Sequence, residues 1–99
     1  MTLIGHGGVS ISAIETTNRF DRDYSKLDRL LKDLVKEKLP QLLSNPMPTG
    51  LRFEKLKGYR KPSIYTIHIT GNYKVSIEIK GEVAVLRRVA CHDDIDRLP

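Results

Sequence analysis

The sequence predicts an α+β domain: a twisted, antiparallel-rich sheet in the order β-α-α-β-β-β-β, with two helices packed on one face. Three observations lead there. Apolar residues recur at steps of three and four from Phe20 to Leu43, the spacing of an amphipathic helix. Residues 51–92 alternate apolar and polar side chains between short Gly-containing turns, as a meander of half-buried strands does. A short β-like segment, ISAIETT at 10–16, precedes the helical stripe.

The elements follow in order. Residues 1–9 are rich in glycine and read as a flexible lead to a single domain over 10–99. Thr17 or Asn18 can cap the first helix by accepting a hydrogen bond from an otherwise unpaired backbone N–H. Phe20, Tyr24, Leu27, Leu31, Leu34, Val35, Leu39, Leu42 and Leu43 form the buried stripe, and Arg19, Arg22, Asp23, Lys26, Arg29, Lys32, Lys36 and Glu37 the solvated one. Ser25 and Asp28 offer second caps, dividing the stripe into a short helix to about Leu27 and a longer one to about Ser44. Pro40 should kink or end the second helix, and the run Asn45 to Gly50 breaks it fully. Strands are expected at about 51–56, 63–70, 73–80 and 82–90. A three-residue loop of Gly71, Asn72 and Tyr73 places Tyr65, Ile67, Ile69, Val75, Ile77 and Ile79 on the core side, and His68, Thr70, Lys74, Ser76 and Glu78 on the other. Centring the next turn on Gly81 puts Val83 and Val85 in the core and Arg88 beside Lys74.

Charge is concentrated in the sheet. Residues 51–92 carry nine Lys or Arg and three Glu, whereas the whole chain has a net charge of +5. A sheet with one cationic face suits a polyanion, most commonly nucleic acid. So short a chain supports one core and no large enclosed cavity, so a site must be a groove or an open face. No apolar run approaches the roughly 18 residues that span a bilayer, and the N-terminus lacks the pattern of a signal peptide. The single Cys91 cannot pair internally, which favours a reducing, cytoplasmic setting. No CxxC or HxxxH pair suggests a metal site, and no cofactor is expected.

Four segments carry a resemblance: the helical opening NRFDRDYSKL; LRFEKLKGYR, like a strand L-K-x-L-K-G; SIYTIHITGNYKVSIEI, like a hairpin sIRvxgnYRixf; and VLRRVACHDDIDR, like a closing xRVGxHxxiYR. In this order and spacing, over about residues 14–97, they resemble the RelE/ParE superfamily of toxin–antitoxin toxins. The resemblance implies a small toxin held inactive by an acidic antitoxin, in a heterotetramer or larger complex. Many such toxins cleave mRNA, often on the ribosome; the ParE branch inhibits DNA gyrase instead. It places His68 where a base or Arg stands, Lys74 at the basic position after the Gly-Asn-Tyr turn, and His92 at the C-terminal Arg or His. The sequence departs from the pattern at Asp96, where many active members carry Tyr or Phe, and at Lys74, where Arg is more usual; lysine keeps the charge but not the bidentate grip on phosphate.

Metal-free RNA cleavage needs a base for the ribose 2′-OH, cations for the charge developing on phosphorus oxygens, and an acid for the leaving 5′-oxygen. Histidine serves both proton roles near neutrality. The expected catalytic set is therefore His68, His92, Lys74 and Arg88. Lys55, Lys57, Arg60 and Arg87 are expected to contact phosphates, and Tyr73 or Tyr59 to stack a base. Phe20, Phe53 and Tyr65 read as core, Cys91 lacks an activating partner beyond its neighbour His92, and His6 falls in the lead. The runner-up functions are a gyrase-binding inhibitor and a degenerate member that binds only its antitoxin.

Overall fold

The computed structural model describes residues 10–60 and 62–99. Its elements are β1 (Ala13–Thr16), α1 (Asn18–Ser25), α2 (Arg29–Lys38), two short 3-10 turns (Leu39–Leu43 and Thr49–Leu51), β2 (Glu54–Arg60), β3 (Ser63–His68), β4 (Tyr73–Lys80), β5 (Val83–Cys91) and α3 (His92–Arg97). The order matches the expected β-α-α-β-β-β-β, with α3 added at the end. The predicted lead, with His6, and Lys61 lie outside the described residues.

Local chemistry sets the helix ends. Thr17 caps α1, its hydroxyl oxygen accepting from the Phe20 N–H, and Asp28 caps α2 by accepting from Leu31. Pro40 cannot donate to the α-helical ladder, and α2 gives way at Leu39 to a 3-10 turn.

The five strands lie in the order β1-β5-β4-β3-β2. Strands β2 to β5 form an antiparallel meander, and β1 returns to pair parallel with β5. One face carries the main core, in which Phe20, Val35 and Leu42 from the helical segment pack with Ile67, Val75, Ile77, Ala84, Leu86 and Val89 of the sheet. Helix α3 packs over β4 and β5 on the other face, where its Ile95 is fully buried together with Ile64, Thr66 and Ser76.

Two registers differ from expectation. The β3–β4 loop is three residues long but centred on Gly71: Ile69 pairs with Tyr73, and His68 lies opposite Lys74. Thr70 causes this, because its hydroxyl accepts from the backbone N–H groups of both Asn72 and Tyr73 and closes the loop one residue earlier. The shift is two residues in register, so the faces stay as assigned. The β4–β5 turn has two residues, with Lys80 opposite Val83 and Gly81 at φ 62, a left-handed value that glycine adopts freely. This reverses the assignment at the start of β5: Ala84 and Leu86 enter the core, while Val83 and Val85 do not. Arg88 consequently stands opposite Ser76 rather than Lys74.

A β-bulge then restores the alternation. Ile77 pairs with Leu86 and Ser76 with Arg88, which leaves Arg87 as the extra residue. Leu86 and Val89 can therefore both face the core while the two arginines between them avoid it. Thr17, the cap of α1, donates its hydroxyl to the carbonyls of Leu86 and Arg87 and so ties the helix to the bulge.

Candidate active site

Strand β3 ends on His68, and Lys74 lies opposite it near the start of β4, on the face away from α1 and α2. At the end of β5 the chain turns into α3, whose first residue is His92. The His92 N–H donates to the Asn72 carbonyl at 2.6 Å, which anchors α3 to the β3–β4 loop. The two imidazole rings thereby meet edge to face, with centroids 6.3 Å apart.

Asp96, one helical turn after His92, links the cluster. Its Oδ1 accepts from Lys74 Nζ at 3.1 Å, and its Oδ2 lies 3.4 Å from His92 Nδ1. The Lys74 side chain is only 9% exposed, against 39% for Asp96 and 44% for His92. Burial lowers the pKa of His68 below its ordinary value of 6.5; the positive charges of Arg52 and Lys74 reinforce this, and Glu54 opposes it. His68 is therefore a neutral imidazole at neutral pH, able to accept a proton.

The remaining expected residues fall elsewhere. Arg88 donates through Nε to Asp23 Oδ2 at 3.1 Å and through a terminal nitrogen to the Leu98 carbonyl, so it ties β5 to α1 and to the chain end. Arg87 pairs with Glu78 at 2.9 Å. Both line a groove of about 760 Å3 with Arg19, Tyr59, Lys80 and Arg97, a recess that does not include the histidines. A smaller recess of about 420 Å3 adjoins His92, between Gly71, Asn72, Cys91 and Asp93. Lys55 and Lys57 are exposed on edge strand β2, and Lys55 stands opposite Tyr65, hence on the helix-covered side. Tyr73 packs partly buried against the main core. Arg60 pairs through its backbone with Ser63. Tyr59 donates its hydroxyl to the carbonyls of Asp96 and Arg97 and holds the last turn of α3.

Sequence reasoning missed two contributors. The family pattern marks Asp96 only as a missing aromatic ring, although its spacing of four from His92 places both on one helical face. Arg52 adds to the sheet charge in the sequence; in the fold it sits in a left-handed backbone turn at φ 55 where its positive charge lowers the His68 pKa, which no local pattern announces. Among the described residues, no group of three or more His, Cys, Asp or Glu could hold a metal ion. No helix among them is long and apolar enough to cross a membrane.

No protein-family profile and no curated protein sequence matches the chain. Solved structures do. YafQ from Escherichia coli BL21(DE3) superposes with a TM-score of 0.69 at 15% identity, over 83% of this chain and 94% of that one. A chain of the RelB–RelE antitoxin–toxin complex from Methanococcus jannaschii gives 0.63 at 26% identity, over 86% and 99%. The RelE–RelB complex from Pyrococcus horikoshii OT3 gives 0.63 at 15%, over 84% and 94%. The chain has the RelE-like toxin fold.

Proposed function

We propose that this protein is the toxin of a toxin–antitoxin pair and acts as a metal-independent endoribonuclease on mRNA. The observation that carries the reading is the meeting of His68 and His92 beside Lys74 on the face of the sheet away from the main core. His68, kept neutral by burial and by nearby cations, takes the proton of the ribose 2′-OH. The 2′-oxygen attacks phosphorus, and Lys74 stabilises the charge that builds on the non-bridging oxygens. His92, as the imidazolium, gives a proton to the departing 5′-oxygen and ends neutral, leaving a 2′,3′-cyclic phosphate and a free 5′-hydroxyl.

A protein partner fits the same face. RelB–RelE and DinJ–YafQ structures are toxin–antitoxin complexes. An acidic antitoxin segment laid over His92 and Lys74 would exclude RNA and screen the charge. The ribosome is the expected setting for cleavage.

The deciding experiment maps RNA 5′ ends in cells induced for the wild type, His92→Ala and His68→Ala. New message ends that need both histidines support the reading. Growth arrest that persists without both, with no new ends and with signs of DNA damage, replaces it with gyrase inhibition. Repeating the cleavage with purified protein, with and without ribosomes, determines ribosome dependence.

A further inference from the structure

We propose that Asp96 is a positioning residue for His92: its carboxylate keeps a proton on Nδ1 in both charge states of the ring, so the proton that the imidazolium gives to the 5′-oxygen leaves from Nε2. The chemical meaning of this rests on the RNA-cleavage reading above; the geometry does not. Each Asp96 oxygen has its own neighbour. Oδ1 takes Lys74 Nζ at 3.1 Å, and Oδ2 faces His92 Nδ1 at 3.4 Å. A carboxylate can only accept, so the neutral ring that lies against it carries its proton on Nδ1. The other carboxylate near that nitrogen, Asp93, is 3.9 Å away and 90% exposed, so it cannot compete for a solvated ring edge.

The platform under this contact is fixed at several points. Ile95, between Asp94 and Asp96, is fully buried. Tyr59 binds the Asp96 and Arg97 carbonyls from β2, and the His92 N–H is bound to Asn72. Spacing of four on one helix then brings Asp96 and His92 together. Lys74 plays a part beyond its charge: by occupying Oδ1 it leaves only Oδ2 for the histidine. An amide at position 96 would consequently offer its single oxygen to Lys74 and turn its NH2 toward His92, which forces the proton to Nε2.

That consequence separates positioning from mere support. Long-range 1H–15N spectra of the labelled full chain, taken where His92 is neutral, should show the Nδ1–H form in the wild type. They should show the Nε2–H form in Asp96→Asn and a mixture in Asp96→Ala. In Lys74→Met/Asp96→Asn the amide oxygen is released to His92, and the Nδ1–H form should return. With a single-stranded RNA oligonucleotide, or a programmed ribosome if free RNA is not cut, kcat should fall about a hundredfold in Asp96→Asn, whose NH2 opposes both the imidazolium and the Nδ1–H ring it leaves, and about tenfold in Asp96→Ala, with KM little changed. A supporting role predicts the reverse order, because Asn preserves shape and Ala does not. An Nε2–H form in the wild type, or no change of tautomer in Asp96→Asn, overturns the proposal. If the wild type cleaves no RNA at all, the nuclease reading fails, and the spectra still decide whether Asp96 sets the ring.

Discussion

Replacing Lys74 by Met separates what this residue does for the fold from what it does for chemistry. Lys74 stands opposite His68 in the β3–β4 ladder, is almost wholly buried, and reaches Asp96 at 3.1 Å. Met has a similar length, so no cavity opens. The lost ion pair has one exposed partner, since Asp96 is 39% exposed and stays beside His92. Its loss therefore costs no more than about 1 kcal/mol, and removing the desolvation of a buried ammonium offsets part of that. In a domain of this size the melting temperature should move by less than about 8 °C. Cleavage should fall much further: losing one preorganised charge from a site of phosphoryl negative charge removes about 3–4 kcal/mol of transition-state stabilisation, or 10²–10³ in rate. Urea titration and thermal melts measure the first quantity, and 5′-end mapping or oligonucleotide cleavage the second. A Lys74→Met protein that cleaves within tenfold of wild type refutes the assignment of Lys74 to the chemistry. One that loses more than about 3 kcal/mol of stability refutes the reasoning about its ion pair.

The other predictions concern stability and pH. Arg88→Ala should cost about 3 kcal/mol, because Asp23 is 13% exposed and would keep only the Val89 N–H and a 3.6 Å contact to Arg19; activity per folded molecule should persist, which kcat normalised to active-site content tests. His68 has a depressed pKa when folded, so as pH falls below 6.5 the unfolded chain binds its proton first and folding stability drops until the folded pKa is also passed. His68→Gln should flatten that acid-side loss in urea midpoints measured at about pH 7.5 and 5. Arg52→Gln removes a charge that lowers the His68 pKa, so the acid limb of the kcat/KM profile should move to higher pH; an unmoved limb excludes His68 as the base.

The helices and the two faces of the β3–β4 hairpin were legible because one periodicity governs many residues at once. The stripe from Phe20 to Leu42 reads as a helical face, although Leu43, expected to be buried with it, is exposed beyond the Pro40 break, and its caps at Thr17 and Asp28 are side-chain chemistry within three residues of their targets. Registers were less legible, since they depend on where a turn closes. Thr70 moved the first turn by accepting two backbone N–H groups, a local competitor that alternation alone does not weigh. The site was half legible. That His68 and Lys74 share a face follows from alternation, but their direct pairing does not, since it depends on the turn that Thr70 moves; the approach to His92 needs only that β5 run beside β4. Lys55 and Tyr73 failed for the same elementary reason: they sit one position out of phase with the face bearing His68, and the pleat points them the other way.

Arg87 and Arg88 show what a strict two-residue period conceals. The sequence Leu86-Arg87-Arg88-Val89 violates alternation, for in a regular strand one arginine would have to enter the core beside Val89. Burying an unpaired guanidinium costs far more than interrupting a ladder by one residue. The chain takes the bulge, and Thr17 satisfies the carbonyls that the bulge turns outward. Both arginines are thereby committed to carboxylates, Arg87 to Glu78 and Arg88 to Asp23, at a distance from the imidazoles. An adjacent pair of arginines in an otherwise alternating strand is therefore a signal of a bulge before it is a signal of a phosphate site. It also leaves Lys74, Asp96 and the two histidines as the groups on which the proposed chemistry rests.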